Sequence, residues 1–303
     1  MSIDLLAINS ANNIIMNTIN RPNPNQLWDA MWYEGEACCL FADTNVGKSI
    51  YAVQIAESIA RTGRKVLYFD FELSDKQFQL RYTAENQIYK FSENLFRATL
   101  NPEAIIMGNY EQTLNKAMEE IVIESDAKVL IIDNLSFICM NSEKGKSASE
   151  LMLSLLNLKR KHELSILVLA HTPKRLMYNP LTQNDLAGSK KQINFFDSAF
   201  AIGKSVQDEG LRYVKQIKTR NGEIVYGADN VIVYQIEKID AFLQFVKVEE
   251  TTEKKHLCEK TEEEVEKLRN EIKSLSSRGY SCREIAKKIN VSKSQVNRIL
   301  NKK

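Results

Sequence analysis

The chain has 303 residues, of which 44% are hydrophobic and 26% are charged. This composition is close to the average of globular proteins and excludes a disordered or collagen-like chain. No apolar run approaches the roughly 18 residues of a membrane span, and the first residues lack a basic secretory leader. The five cysteines form no CxxC pair, and their odd number suits a reducing compartment. We therefore expect a cytoplasmic protein without a membrane partner.

The formal net charge of +2 hides an asymmetry along the chain. Residues 278–303 contain eight cations and one anion, Glu284, which is a net charge of +7, so the other residues together carry −5. A basic end on an acidic body indicates either a module that binds a polyanion or a solvated charged face.

The chain order predicts an arm, a large α/β domain, a linker and a small helical domain. Residues 1–30 are rich in Asn and contain two prolines, which is typical of an arm or short helix. Residues 31–248 alternate apolar runs with helical stretches, residues 249–261 are a charge-dense linker, and residues 262–303 form the small domain. The predicted strands are Ala37–Ala42, Lys65–Phe71, Lys128–Asp133, Ser165–Ala170, Ser198–Ile202, Leu211–Lys218, Val231–Glu237 and Ala241–Lys247. The predicted helices of the large domain are Lys48–Thr62, Asp75–Asn86, Tyr110–Ser125 and Ser149–Lys161.

This alternation predicts the fold class. Continuous apolar strands separated by helices form a mainly parallel sheet with helices on both faces. The late strands follow one another without helices, so we expect the sheet to end in an antiparallel ribbon.

A phosphate-binding loop is predicted where the first strand passes into the first helix. The pattern is GxxxxGK[ST], with Ala42 in place of the first glycine. Such a loop wraps backbone N–H groups around phosphates, brings the lysine to the β- and γ-phosphates and directs the serine hydroxyl to Mg²⁺. The alternative, a plain turn, does not explain a lysine at a helix start, where the helix dipole disfavours cations. The predicted nucleotide-binding residues are Ala42, Asp43, Thr44, Asn45, Val46, Gly47, Lys48, Ser49 and Ile50.

Three other strands end in polar residues that fit the same site. Asp133 ends a strand of four apolar residues, the form of a Walker B strand, and would face Mg²⁺ together with Ser49. Glu72 is placed to polarise an attacking water, and His171 is suited to sense the γ-phosphate. The alternatives are a helix cap or salt bridge for each acid and a structural role for the histidine.

These residues in this order resemble the RecA-like ATPase core. Within that class the strings FADTNVGKS, YFDFELS, VLIIDNLS and LVLAHTPKR are most similar to the hexameric replicative helicases of the RepA and DnaB types, above all the RepA-like ATPases of plasmids and mobile elements. The resemblance covers residues 30–245 and implies ATP and Mg²⁺ as cofactors. It implies Lys48, Glu72 and His171 as catalytic residues, and a homo-oligomeric ring, a hexamer.

The resemblance also implies residues that act across subunits. Lys218 and Arg220 match a K-x-R segment that reaches the nucleotide of the neighbouring subunit in this family, and their alternation places both on one face of a strand end. A guanidinium delivered in this way stabilises charge on the transferred phosphoryl group. The alternative is a basic hairpin tip, because Asn-Gly follows as a turn signal.

Two predicted loops and the tail are the candidate DNA contacts. In a ring, the loops would line the pore and follow single-stranded DNA; the alternative is mobile surface loops whose cations face water. The cations of these loops are Lys144, Lys146, Lys174, Arg175, Lys190 and Lys191. In the tail, Ser281 and Ser292 are predicted to cap two short helices, Cys282–Ile289 and Lys293–Leu300, after a longer helix, Thr261–Ser277. This pattern resembles a helix-turn-helix that binds duplex DNA, the alternative being a helical hairpin for protein contacts. The exposed residues predicted to reach duplex DNA are Lys293, Ser294, Gln295, Asn297 and Arg298.

Two functions stay open from the sequence. One is a helicase or translocase of a plasmid or mobile element. The other is a non-unwinding, ATP-dependent DNA-binding regulator or loader that assembles on a site chosen by the C-terminal domain.

Overall fold

A computed structural model describes residues 8–103, 110–134, 146–173, 175–186 and 192–301. The strands are β1 (Gln26–Trp28), β2 (Trp32–Tyr33), β3 (Ala37–Ala42), β4 (Val66–Asp70), β5 (Thr83–Ala84), β6 (Gln87–Ile88), β7 (Leu95–Ala98), β8 (Val129–Asp133), β9 (Ser165–His171), β10 (Ser198–Lys204), β11 (Leu211–Lys218), β12 (Val231–Ile239) and β13 (Phe242–Thr251). The α-helices within these ranges are α1 (Ala11–Thr18), α2 (Lys48–Arg61), α3 (Asp75–Arg81), α4 (Tyr110–Ser125), α5 (Lys146–His162), α6 (Glu253–Leu257), α7 (Glu262–Ser277), α8 (Cys282–Lys288) and α9 (Lys293–Asn301).

One nine-stranded sheet forms the centre of the protein. Its order is β13-β12-β11-β10-β3-β9-β8-β4-β7. The strands from β10 to β7 in this order are parallel, whereas β11, β12 and β13 pair antiparallel. The predicted α/β fold with a mainly parallel sheet and an antiparallel ribbon is confirmed.

Helices cover both faces of the sheet because successive strand residues point to opposite sides. In β3, Cys38 and Leu40 belong to the cluster that includes α2, and Cys39 and Phe41 belong to the cluster that includes α4 and α5. Cys38 and Cys39 are free and fully buried, as expected of small core residues. Among the described residues, no helix has both the length and the apolar composition needed to cross a bilayer.

The structure departs from the predicted elements after α3. The predicted helix Asp75–Asn86 ends at Arg81, and a small hairpin of β5 and β6 follows. Tyr82 is buried against Phe91 and Phe242, so aromatic packing takes the chain out of the helix. The edge strand β7 was not predicted, because its pattern is short and only half-buried.

The predicted linker consists of ordered elements instead. β13 continues to Thr251, and α6 follows with Glu253 and His256 both buried. Glu253 accepts hydrogen bonds from the backbone N–H of Leu181 at 2.7 Å and from Lys215 Nζ at 2.5 Å. A charge-dense segment is thus fixed by partners that lie far away in sequence.

The core also begins earlier than predicted. α1 is exposed along its length, as an arm would be. Leu27 is buried, however, and Trp28 Nε1 donates to the Tyr51 hydroxyl of α2 at 3.0 Å. Residues before position 31 therefore pack on the α/β domain.

The last three helices pack around a small core of their own. Ile272 and Leu275 of α7 meet Ile285 of α8 and Val296 of α9. Ser281 caps α8, as predicted from the sequence, and the structure shows that it does so in a capping box with Glu284. This core contains none of the residues of the two sheet clusters, so residues 262–301 have the hydrophobic centre of a separate folding unit.

Candidate active site

The carboxyl ends of β3, β4, β8 and β9 bring the predicted strand-end residues together. Lys48 begins α2 directly after the loop that follows β3, and only 7% of the surface of Lys48 is exposed. Its Nζ donates to the carbonyls of Ala42 at 3.0 Å and Asp43 at 3.1 Å and lies 3.1 Å from His171 Nδ1. Burial lowers the pKa of Lys48, whereas the charges of Asp133 and Glu72 oppose that shift. Two carbonyls of the loop therefore hold the amine at the cleft, where it can meet an anionic ligand.

The loop requires glycine at one end and accepts alanine at the other. Gly47 has φ +107°, and a Cβ there would come within 2.8 Å of Ile236 and 3.0 Å of Phe245. Ala42 ends β3 without a positive φ, and its methyl group is buried. The missing first glycine thus leaves the loop conformation intact.

Asp133 provides a carboxylate oxygen that suits a metal. Asp133 is fully buried, and its Oδ2 accepts a hydrogen bond from the Tyr68 hydroxyl at 2.7 Å. Its Oδ1 has no hydrogen-bond partner among the described residues. Burial raises the pKa of Asp133 to about 6, and the neighbouring hydroxyls of Ser49 and Tyr68 oppose that rise. An unpartnered carboxylate oxygen beside a serine hydroxyl matches the oxygen ligands that Mg²⁺ prefers, so these two residues fit the ion.

Glu72 and His171 form a polar group with a residue that was not predicted. Asn134 Nδ2 donates to Glu72 Oε1 and lies 3.1 Å from His171 Nε2. His171 Nε2 is 3.7 Å from Glu72 Oε1. Hydrogen bonding to His171 lowers the pKa of Glu72, so this carboxylate is ionised at neutral pH. Asn134 directly follows the aspartate of β8, and this adjacency is the signal that could have identified it.

Arg81 is a second site residue that the sequence reasoning missed. It lines a cleft of about 540 Å³ together with Lys48, Ser49, Glu72 and His171. Its Nη1 is buried and has no hydrogen-bond partner among the described residues. The predicted helix Asp75–Asn86 placed this arginine in mid-helix, where no strand end marked it. The earlier end of α3 brings it to the edge of the cleft.

Lys218 and Arg220 lie at the opposite end of the sheet. Arg220 Nη1 pairs with Asp197 Oδ1 at 2.7 Å, and Asp197 accepts a hydrogen bond from the backbone N–H of Ala37, the first residue of β3. Lys218 Nζ donates to the carbonyls of residues 193 and 196 at 2.9 and 2.7 Å. The nucleotide loop follows the other end of β3, about 17 Å of strand away. The structure therefore does not bring these two cations to the loop of their own subunit.

Most of the predicted loop cations lie outside the described residues. These are Lys144, Lys174, Lys190 and Lys191, together with the side chain of Lys146, which begins α5. Arg175, a predicted DNA contact, is described, and its side chain is turned away from solvent. Its side chain is 7% exposed, and its Nε lies 3.5 Å from Asp185 Oδ1. An acidic neighbour from the same loop holds the guanidinium against the protein.

In α9 the predicted DNA contacts divide between two environments. Lys293, Ser294 and Arg298 are exposed, and Asn297 is half-buried. The prediction that Gln295 is exposed was wrong, because it is only 6% exposed. The start of α9 contacts the large domain through Ser292 and the backbone of Lys293, close to the buried glutamine.

The comparisons with known proteins agree with this geometry. A family model described as "AAA domain" (AAA_25) matches residues 14–177. The DNA repair protein RadA of Campylobacter jejuni is 26% identical over 146 residues, which cover 46% of this chain. That alignment covers 29% of the RadA sequence, so the chain spans under a third of this relative.

A solved structure shares the fold. The crystal structure of a KaiC-like protein from Pyrococcus horikoshii superimposes with a TM-score of 0.53 at 14% identity, covering 71% of this chain and 91% of that one. The family model matches more than half of the residues of this chain. The chain therefore belongs to the AAA domain family and has a RecA-like P-loop ATPase core.

Proposed function

We propose that this protein is a cytoplasmic, Mg²⁺-dependent ATPase that acts on DNA as a ring-forming helicase or translocase of a plasmid or mobile element. The observation that carries the proposal is the meeting of Lys48, Glu72, Asp133 and His171 at one sheet edge. The RadA relative is a DNA repair protein, which supports DNA as the polymer on which the ATPase acts.

The chemistry of hydrolysis follows from the charges in the cleft. Glu72 is ionised and accepts a proton from the attacking water. Lys48 and Arg81 face the cleft and stabilise negative charge on the phosphates. His171 contacts Lys48 on one side and Asn134 on the other, and Asn134 in turn donates to Glu72. A movement of Lys48 with the phosphate loop would therefore change the position of the Glu72 carboxylate.

Ser49 and Asp133 would hold the metal. When bound, Mg²⁺ neutralises charge on the β- and γ-phosphate oxygens. The observation that supports this assignment is that Asp133 Oδ1 has no hydrogen-bond partner within the part of the chain that the structure describes. Tyr68 orients the carboxylate through the other oxygen.

The distant position of Arg220 supports action in a neighbouring subunit. Its guanidinium lies at the amino end of β3 beside Asp197, at the sheet end remote from its own phosphate loop. A head-to-tail assembly would bring that end to the nucleotide of the next subunit. A ring, which we propose to be a hexamer, closes such an arrangement.

The C-terminal domain supplies the proposed contact with duplex DNA. Its cations include Lys293 and Arg298 on the exposed surface of α9. If about four of these cations contact phosphates, the logarithm of the affinity should fall against the logarithm of the salt concentration with a slope of about −3.6.

We propose that the loop cations Lys144, Lys146, Lys174, Lys190 and Lys191 contact single-stranded DNA in the ring.

A forked duplex with single-stranded tails tests the proposal. We expect ATP-driven strand displacement by the wild-type protein, and none by Lys48→Ala, which removes the phosphate-binding amine. ATPase activity that is insensitive to single-stranded DNA and gives no displacement would contradict the helicase function.

One observation favours the second candidate, a nucleotide-controlled DNA-binding regulator. The C-terminal domain packs on the turn before β11, and Arg212 of β11 donates to the carbonyl of Val46 in the phosphate loop at 3.2 Å. The proposed DNA reader is therefore physically linked to the nucleotide site. The same fork assay separates the two functions.

A further inference from the structure

The start of α9 is bound by the large domain through a buried pair of hydrogen bonds. The backbone N–H of Ser292 donates to Asp208 Oδ2 at 2.8 Å, and its hydroxyl donates to Asp208 Oδ1 at 2.6 Å. Ser292 is fully buried and Asp208 is 3% exposed. Both carboxylate oxygens of one aspartate therefore hold the residue that caps the start of the helix, and all of these groups are buried.

Two further hydrogen bonds widen this contact. Asn290 Nδ2 donates to Glu249 Oε2 of β13 at 3.2 Å, and the backbone N–H of Lys293 donates to Gln235 Oε1 of β12 at 3.3 Å. The antiparallel ribbon thus contacts the turn between α8 and α9 from a second side.

The backbone of the turn before β11 lies directly against the helix start. A methyl group at Gly210 would collide with the Ser292 side chain. Gly210 has no positive φ, so the contact with α9 and not the backbone conformation requires glycine here. The close approach leaves no room for a DNA strand between the two.

The docked start of α9 belongs to the surface that a helix-turn-helix inserts into DNA. Such a domain places the N-terminal residues of its second helix against base edges in the major groove. Here Gln295 is buried, and Lys293, Ser294 and Asn297 line a groove of about 400 Å³ whose other wall is β12. A duplex that approached these residues would therefore meet β12 on the other side of the groove.

We propose that the ATPase core masks the DNA-reading helix, with Asp208 as the latch that holds α9 in the docked state. The inference rests on the proposed role of the C-terminal domain in duplex binding. Since only undocked molecules bind DNA, a ten-to-one excess of the docked state lowers the apparent affinity about ten-fold.

The latch is connected to the nucleotide site at both of its edges. Arg212, four residues after Asp208, donates through Nη1 to the carbonyl of Glu209 and through Nε to the carbonyl of Val46 in the phosphate loop. On the ribbon side, Ile236 lines the nucleotide cleft next to Gln235, which contacts α9. A nucleotide that shifts the phosphate loop therefore changes the docking equilibrium, and duplex DNA changes nucleotide affinity by the same factor.

The test compares duplex affinity between full-length variants. Each carboxylate oxygen of Asp208 accepts from a backbone N–H, that of Gly210 at Oδ1 and that of Ser292 at Oδ2. Asp208→Asn keeps the size of the side chain but replaces one of these two acceptors with an NH2 group, so we expect affinity for a short labelled duplex to rise about ten-fold. Glu209→Gln is the matched control, because it removes the same charge from the exposed neighbouring position. Equal gains by both variants would show a charge effect and overturn the latch.

An uncharged variant and the free domain complete the test. Gly210→Ala should also raise affinity by collision with Ser292, whereas Gly222→Ala, which lies in open space, should not. The fragment 262–303 should bind as tightly as Asp208→Asn. A fragment that binds no more tightly than the full chain would overturn the latch, and a fragment that binds no duplex at low salt would overturn the DNA-reading role itself. Bound nucleotide should change the affinity of the wild type but not of Asp208→Asn; an unchanged wild type would exclude the coupling.

Discussion

Arg81 offers a sharp test of the site, because its guanidinium is placed for a ligand and not for the fold. Arg81→Ala removes a buried Nη1 that has no hydrogen-bond partner among the described residues. A hydrogen bond to a charged group contributes about 1.5–3 kcal/mol, so loss of a phosphate contact should weaken ATP binding or turnover about 10–150-fold. A buried donor without a partner destabilises the folded state by about 1–3 kcal/mol. Since Arg81→Ala removes such a donor, the free energy of unfolding should not fall.

Arg97 is the matched control, because its guanidinium is placed for the fold. It pairs with the buried carboxylate of Asp70 at 2.9 Å and with Asp75 at 2.6 Å. Arg97→Ala leaves Asp70 buried without its cation, and we expect the free energy of unfolding to fall by about 3 kcal/mol.

Two measurements separate these roles. Urea unfolding without nucleotide gives the stability, and binding of a fluorescent ATP analogue followed by steady-state turnover gives the function. Arg81→Ala should lose function at full stability, and Arg97→Ala should lose stability. An Arg81→Ala protein that turns over ATP like the wild type, or that loses stability in proportion to activity, would refute the reasoning.

Three more predictions follow from the geometry. Lys48→Ala and Arg220→Ala should each abolish turnover, and mixing the two proteins should restore part of it through hybrid interfaces; full activity of Arg220→Ala alone would exclude action across subunits. Gly47→Ala should lower the free energy of unfolding by about 2–4 kcal/mol in urea titrations, because it adds left-handed backbone strain and a collision with Ile236. Burial, reinforced by the charge of Lys255, lowers the pKa of His256 to about 4, so the unfolded chain takes up the proton first as pH falls. Unfolding free energy should therefore decline by about 3 kcal/mol between pH 6.5 and 4, and His256→Gln should lack that part of the decline.

Much of the fold and part of the site follow from local sequence pattern. The buried strands of the parallel sheet read as continuous apolar runs because both of their faces are covered, and this made β3, β4, β8 and β9 visible. Each of these strands is followed by polar residues, and parallel strands end at one edge. The convergence of Lys48, Glu72, Asp133 and His171 was therefore predictable without a structure.

Other features depend on contacts between residues that are distant in sequence, and only the tertiary structure decided them. α3 ends at Arg81 because Tyr82 packs on Phe242, some 160 positions later, and that packing brings the arginine to the cleft. The helical spacing of apolar residues in the sequence showed which side of α9 faces the core of the C-terminal domain. The contact between the start of α9 and Asp208 was not visible, because Asp208 belongs to another domain and is one of many acidic residues in the chain. Local periodicity determines which face of an element is apolar, whereas the free energy of docking depends on a complementary surface that the local sequence does not contain.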